Sequence, residues 1–314
     1  MKAIRIHDFG SFEQLKYEDV PVPTLKDNQI LVKVYATSVN HLDMKKASGA
    51  AKETMPIDLP WIPGHDFAGV VEKVGEGVST FNIGDKVYGN SNGGSYAEYL
   101  AADLDKVVKM PDSLSFIEAS SVPHVGETAW QAIHTHGHLQ SGQKVLIHGA
   151  AGAVGAFAVQ FAKEVGAEIY ATSSEEDKEL VKSLGADVVI DYKKTDFTIV
   201  AKDIDLVLVL VGGDTQEKSY NILKEGGRLV STTGPIIENL ARNHKVTGIA
   251  MVIKQSAKDL AAITELIDKG KLKTDIALVY PLEEAQTGWK VLSGDSSQPH
   301  ISHGKIVLQI IKDK

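Results

Sequence analysis

The residues best equipped for chemistry lie between Lys144 and Ser174, in the stretch KVLIHGAAGAVGAFAVQFAKEVGAEIYATSS. Three glycines, Gly149, Gly152 and Gly155, follow the apolar run Val145, Leu146, Ile147. Behind them come an apolar helical stretch and a second apolar run, Ile169, Tyr170, Ala171. A strand, a glycine turn and a helix in that order bring backbone N–H groups and the positive end of a helix up to an anion. The second strand completes a βαβ unit, and the anion such a unit takes is the pyrophosphate of a dinucleotide. Gly152 stands where the backbone must approach that pyrophosphate, and Gly155 where helix and sheet must pack closely. The spacing is G-x-x-G-x-x-G rather than the commoner G-x-G-x-x-G. A tight turn that binds nothing is the alternative, and the strand before and the helix and strand behind argue against it.

The second strand ends on Thr172-Ser173-Ser174, where NAD enzymes usually place an acid that grips the ribose 2′-hydroxyl. Glu175 and Glu176 come later, in what reads as the first turn of the next helix, a place that also suits the helix dipole. Lys178 follows, and Tyr192 stands just past the third strand. Hydroxyls and a cation suit a 2′-phosphate, which a carboxylate would repel. The expectation is NADPH. The plainer reading is a solvated helix start carrying an ordinary surface lysine.

Other constellations carry less. His134, His136 and His138 form an H-x-H-x-H run, and on a helix His134 and His138 would share a face, as metal ligands can. Histidines at a helix C-terminus ahead of Gly137 and Gly142 are equally ordinary. His148 reads as a strand-end residue rather than a base, and Asp43 as an ion-paired structural residue. The chain has no cysteine, which excludes disulfides, iron–sulfur clusters and thiolate zinc sites.

The elements that must position these residues form two patterns. Residues 1 to about 120 hold short β-like runs, KAIRIH, QILVKVYAT, GVVEKVG and DKVYG, broken by Pro21, Pro23, Pro60, Pro63 and glycines. From about Ser121 to Gly270 strands and helices alternate. The strands read as KVLIH, EIYAT, DVVID, DLVLVLV, GRLVST and VTGIAMVI. The helices read as Gly152–Val165, Glu175–Leu184, Asp214–Leu223 and Lys258–Lys269. Near-continuous apolar strands joined by helices predict a parallel, doubly wound sheet. The amphipathic helix Lys258–Lys269 is expected to cover that sheet. After Leu272 the β character returns, ending in GKIVLQII, which reads as rejoining the N-terminal domain. The 314 residues allow two domains, and a net charge of −8 without a basic stripe argues against nucleic acid. MKAIRIHDFG lacks the apolar core of a signal peptide, and no apolar run approaches bilayer length, so a cytoplasmic protein is expected.

With those residues in place, the chain resembles the medium-chain dehydrogenases/reductases, and among them the zinc-free, NADPH-dependent quinone oxidoreductase-like branch. The likeness rests on SVNHLDMKKASG, PWIPGHDFAGVVEKVGEGVSTFNIGDKVYG, GSYAEY, VPHVGETAWQAI, GAAGAVG, SLGADVVIDY, VGG and LKEGGRLVS, in that order. It implies an α/β protein: a GroES-like β-rich catalytic domain of residues 1–122 and 273–314, with a Rossmann domain of 123–272 between them. An active cleft between the domains is implied too, with the segment Ala47–Leu59 in its wall. Carried over residue by residue, Asn40 would sit near the nicotinamide and Thr128 would touch the cofactor. Ala151, Gly152, Ala153 and Val154 would hold the pyrophosphate. Ser173, Ser174, Lys178 and Tyr192 would take the adenosine phosphate, and Val211, Gly212 and Thr232, within Ser231–Thr233, the nicotinamide ribose. A homodimer is a family expectation, placed here at the apolar strand Val246–Ile253.

Zinc alcohol dehydrogenases of the same superfamily have a cysteine where this chain has Asn40, and a His-Glu pair at His65-Asp66. One imidazole is too few for a catalytic zinc, which takes three protein ligands, so no metal is expected and His65 reads as structural. Two departures stand out. Several members have a tyrosine soon after the Asn-x-x-Asp motif, where this chain has Met44, Lys45 and Lys46. The family also tends to an Asp in the fourth strand, where this chain has Val209.

Without a Lewis acid, hydride delivery to a conjugated acceptor is easier than to an isolated carbonyl, because the charge spreads into an enolate or hydroquinone anion. The expected reaction is hydride transfer from NADPH to a quinone or to the β-carbon of an α,β-unsaturated carbonyl. Asn40 would help position the acceptor, and solvent would supply the proton. An enoyl or alkenal double-bond reductase is the alternative within catalysis. An NADPH-binding sensor or scaffold with weak activity is the alternative outside it.

Overall fold

Short β-branched runs separated by turns cannot cover themselves, and in a computed structural model describing residues 1–312 they build a β-rich unit from both ends of the chain. That unit spans Met1–His124 and resumes at Gln255; Val125–Lys254 forms the second unit.

The first stretch holds β1 (Lys2–Arg5), β2 (Lys16–Asp19), β3 (Gln29–Ser38), α1 (His41–Ala47), β4 (Asp66–Val74), β5 (Lys86–Asn90), β6 (Tyr99–Asp103), β7 (Val107–Lys109) and α2 (Phe116–Ser120). Then α3 (Pro123–Trp130) runs into a π-helical turn over Gln131–His136. In the second unit follow β8 (Lys144–Ile147), α4 (Ala153–Val165), β9 (Glu168–Ser173), α5 (Lys178–Leu184), β10 (Val188–Asp191) and α6 (Phe197–Val200). It continues with β11 (Ile204–Val209), α7 (Thr215–Ser219), β12 (Leu223–Ser231), α8 (Glu238–Asn243) and β13 (Thr247–Ala250). The chain returns to the first unit with α9 (Ala257–Asp268), β14 (Ile276–Pro281), α10 (Ala285–Leu292) and β15 (Lys305–Gln309).

In the first unit β3 is the spine. Antiparallel β4, β6 and β15 all pair with it, and β14 lies parallel beside β15. The C-terminal run GKIVLQII therefore does rejoin the N-terminal strands. Ile30, Val32 and Val34 of β3 pack with Phe67, Val71 and Val87 in one core, and Trp289 of α10 anchors another with Ile4, Val39 and Ile306.

The second unit carries one six-stranded sheet, in the order β10-β9-β8-β11-β12-β13, with every neighbouring pair parallel. The order reverses direction between β8 and β11, and in doubly wound sheets ligands bind outside the carboxyl ends of the strands at that point. The fold is thus the GroES-like plus Rossmann-type α/β architecture expected from the sequence.

Two local expectations need correction. The amphipathic helix of residues 258–269 does not cover the parallel sheet. It belongs to the first unit, where α9 packs on β7, and Tyr88 Oη donates to Thr264 Oγ1 at 2.7 Å. Helical periodicity reports an apolar face but not which sheet it meets. Glu175 and Glu176 do not open a helix either. Asp177 Oδ2 accepts from Ser174 Oγ at 2.7 Å, which folds residues 174–177 into a turn, and α5 starts at Lys178.

Candidate active site

The glycine loop follows β8 as its spacing requires. Gly149 has φ +67, a left-handed conformation that favours glycine, and a Cβ there would stand 2.7 Å from Val211 Cγ1. A Cβ on Gly155 would collide with the Gly149 carbonyl oxygen and stand 2.7 Å from Ala150 Cα, so α4 can lie this close to the loop only with glycine there. Gly152 is the N-cap of α4, and no side chain caps the helix. The amides of Ala153, Val154 and Gly155 thus form an N-terminus open to an anion, with Ala151 leading into it. Ala150 N–H bonds Thr172 O at 3.0 Å and Gly149 N–H bonds Thr172 Oγ1 at 3.2 Å, tying the loop to β9. This is a cradle of the kind a dinucleotide pyrophosphate fits.

At the ends of β9 and β10 the sequence candidates do converge. Tyr192 N–H bonds Ser173 O at 3.2 Å, and the Tyr192 ring is 61% exposed. Ser173 Oγ donates to Ser174 O, and Ser174 Oγ to Asp177. Lys178 Nζ reaches Glu175 Oε1 at 3.5 Å. A second cation missed in the sequence reading stands here: Lys194 Nζ lies 3.2 Å from Glu175 Oε2 and 3.3 Å from Asp191 Oδ2. The Lys194 and Lys178 ammonium groups hold the Glu175 carboxyl below its usual range. Glu175 is therefore paired with two lysines, while Asp177 is the acid that holds Ser174.

Beyond β11, Val211 and Gly212 are exposed at the sheet's carboxyl edge. Thr232 N–H bonds Val209 O at 3.1 Å, so Val209 serves through its backbone while its side chain is buried. Thr128 is buried in α3. These residues share the second unit with the glycine loop.

Asn40 lies in the first unit, as the N-cap of α1, and is 4% exposed. Its backbone N–H bonds Asp43 Oδ2 at 3.0 Å, its Nδ2 donates to Asp66 Oδ2 at 2.9 Å, and its Oδ1 accepts from Lys305 Nζ at 2.6 Å. Asp43 is structural, as expected. Its Oδ1 faces His65 Nδ1 at 2.5 Å and accepts Gly64 N–H at 3.2 Å. On the far side of that ring, Lys46 Nζ stands 3.4 Å from His65 Nε2 and 5.4 Å from the Trp61 ring centre. Burial pulls Lys46 and Lys305 below the ordinary lysine range, opposed by Asp43 for Lys46 and by Asp66 and Asp43 for Lys305. Lys46, Asp66 and Lys305 were not singled out as site residues in the sequence; a lysine inside an apolar strand, as in GKIVL, was the available signal.

The histidine run does not assemble a metal site. The π-helical turn ends at His136, and His138 has φ +49, so His134 and His138 do not share a helix face. His134 instead packs against Trp130, ring centres 4.1 Å apart. Among the described residues no group of three or more His, Cys, Asp or Glu could hold a metal ion.

Comparison with known proteins agrees with this arrangement. Residues 26–112 match the family model of the alcohol dehydrogenase GroES-like domain, and residues 184–308 that of the zinc-binding dehydrogenase. The chain is 35% identical to a quinone oxidoreductase of Sus scrofa over 91% of its own length and 92% of the relative's. It is 38% identical to a 2-methylene-furan-3-one reductase of Solanum lycopersicum, over 87% of this chain and 70% of that one. The solved structure of Escherichia coli quinone oxidoreductase complexed with NADPH superposes with a TM-score of 0.87, at 26% identity, covering 98% of this chain and 100% of that one.

Proposed function

The chain belongs to the medium-chain dehydrogenase/reductase superfamily, in its quinone oxidoreductase-like branch, and on that premise we propose that this oxidoreductase is an NADPH-dependent, zinc-independent reductase of quinones and other conjugated carbonyl compounds. The observation that carries the reading is the glycine loop at the turning point of the parallel sheet. Its backbone is stripped of side chains where an anion must approach, and α4 has no side-chain cap of its own.

When bound, NADPH supplies a hydride. The chain's own residues do the rest. The amides of Ala151, Ala153 and Val154 take the pyrophosphate, with Gly152, whose own N–H is bonded to Gly149 O, leaving the approach open, and Val211, Gly212, Thr232 and Thr128 orient the nicotinamide end. Ser173, Ser174, Lys178 and Tyr192, joined by Lys194, take the 2′-phosphate. The Glu175 pairs with Lys178 and Lys194 are solvent-exposed, so exchanging the carboxylate for a phosphate costs little. Asn40 donates an N–H to the acceptor oxygen, where negative charge grows as hydride arrives at carbon. Solvent then provides the proton.

A zinc ion does not fit these residues. The imidazole nitrogen that would face it, His65 Nε2, faces the Lys46 ammonium, and Asn40 Oδ1 faces the Lys305 ammonium. A third cation would have to enter between two held cations with one imidazole to receive it, against the three ligands a catalytic zinc takes. No step runs through a metal, despite the zinc-binding description of the matching family.

An α,β-unsaturated ketone is as suitable an acceptor as a quinone, because both spread the incoming charge onto oxygen. The tomato relative, named for reducing a methylene-furanone, supports enones as a class. We place a homodimer contact at β13. The decisive experiment is a panel of quinones, enals, enones and saturated ketones, followed as loss of NADPH absorbance, with NADH in parallel and with and without a chelator. Turnover of the conjugated compounds, preference for NADPH and indifference to the chelator are expected. NADH used as well as NADPH would remove the phosphate assignment, and activity lost to the chelator would remove the zinc-free one. Silence across the panel would leave a sensor.

A further inference from the structure

The side-chain amide of Asn40 is gripped at both ends by groups distant in sequence. Lys305 Nζ donates to Asn40 Oδ1 at 2.6 Å across a separation of 265 residues, and Asn40 Nδ2 donates to Asp66 Oδ2 at 2.9 Å. Neither partner can swing away. Lys305 is also anchored on Val39 O at 2.9 Å, and its Nζ lies 3.8 Å from Asp66 Oδ2. Asp66 accepts from Ser38 Oγ at 2.6 Å and, through its other oxygen, from His124 N–H at 2.7 Å. Asn40, Asp66 and Lys305 are all more than nine-tenths buried.

Charge therefore decides the orientation of the amide. Turned over, it would set its NH2 against an ammonium and its oxygen against a carboxylate, both in a poorly screened interior. Of the two Nδ2 protons one belongs to Asp66. The other makes only a long contact, to Ser38 O at 3.5 Å, the limit of a hydrogen bond. That proton is the one left to give to a ligand. An ammonium on the amide oxygen also draws density from the nitrogen and strengthens the same N–H as a donor.

The geometry points to Lys305 as a positioning residue for Asn40: with Asp66 opposite, its buried ammonium fixes and polarises the amide so that one N–H is presented to the acceptor oxygen. The inference rests on the proposal that Asn40 donates to the acceptor. It adds the group that makes Asn40 a directed donor rather than a freely rotating amide.

The test is a cycle of Asn40→Ala, Lys305→Met and the two together, with kcat and KM for a quinone, NADPH binding and thermal unfolding measured for each. Lys305→Met should lower kcat on the order of tenfold or more while leaving NADPH binding in place. In the Asn40→Ala background it should lower kcat no further, which a merely structural lysine would not show. Lys305→Met alone leaves Asp66 buried beside an empty position and can cost folding. Lys305→Met with Asp66→Asn removes both charges and should show the same kcat loss in a folded protein, whereas Lys305→Arg should recover part of the rate. Wild-type kcat in a folded Lys305 variant, or a full further loss in the Asn40→Ala background, overturns the inference. Wild-type turnover by Asn40→Ala itself overturns it by a separate route, by removing the role of Asn40.

Discussion

Just past β8, the imidazole of His148 lies 1% exposed, and burial alone pulls it down to about 3 from an ordinary value of 6.5. Its hydrogen bonds assign the neutral tautomer. Ser219 Oγ gives its proton to Thr215 O at 2.7 Å, so it accepts from His148 Nε2–H at 3.1 Å. Thr172 Oγ1 then donates to Nδ1 at 3.3 Å while accepting Gly149 N–H. A histidine kept neutral thus helps to hold the glycine loop. The unfolded chain binds a proton at His148 below pH 6.5, and the folded one only below about 3. Stability from this residue is complete above 6.5 and falls as pH drops through that window, by up to about 1.4 kcal/mol per pH unit. Urea unfolding of wild type and His148→Gln from neutral pH downward should show a shallower loss in the variant. Parallel curves would mean that His148 is not the buried neutral group described. The sequence marks His148 as a strand-end residue; its partner Ser219, 71 residues on, could not be read there.

The start of α4 gives a contrast between two glycines that look alike in the sequence. A methyl on Gly155 meets only backbone, Gly149 O and Ala150 Cα, so nothing flexible can yield and the helix must move off the loop. Gly155→Ala should cost about 1–3 kcal/mol of stability. A methyl on Gly152 has Gly149 O at 3.4 Å as its nearest neighbour, an ordinary contact, and φ of −65 suits any residue. Gly152→Ala should therefore fold with a penalty of about 1 kcal/mol at most, from the poorer N-cap. If the proposed pyrophosphate site is right, its methyl would stand in the way, and NADPH affinity should fall on the order of tenfold, about 1.4 kcal/mol. Thermal unfolding with NADPH titration separates the two. Equal stability losses, or normal NADPH binding by Gly152→Ala, would refute this division of labour. The motif was legible because its constraints are local, set by one turn against one helix. The home of α9 was not: Leu260, Ile263 and Ile267 do form a buried face, but their spacing carries no information about the sheet they meet.

At the scale of the whole chain, the return of GKIVLQII to the N-terminal strands could be read from its β character. The pairing of Lys305 with Asn40 could not, because it depends on β15 lying antiparallel to β3 in one register, Val307 opposite Ser38. The parallel sheet raises a question of the same kind, since it ends at β13, which has β12 on one side and no strand on the other among the described residues. No proline or lysine blunts Thr247–Ala250, and Val252 just beyond is 76% exposed. An unprotected edge is a template for pairing with another chain. Two copies related by a two-fold axis can join such edges antiparallel into one continuous sheet. The open side can be assigned to particular amides. Met251 N–H bonds Ser231 O, and alternation along a strand then turns the N–H groups of Gly248 and Ala250 away from β12. Ala250→Pro removes one of those donors without touching the bonds to β12, whereas Gly248 is a poor target because a Cβ there would run into Ile236. Light scattering coupled to size exclusion should give twice the 33.8 kDa chain mass for the wild type and a single chain mass for Ala250→Pro. NADPH binding should survive, since the glycine loop lies three strands away across the sheet. A wild-type monomer, or an Ala250→Pro variant that stays paired, would place the contact elsewhere or remove it.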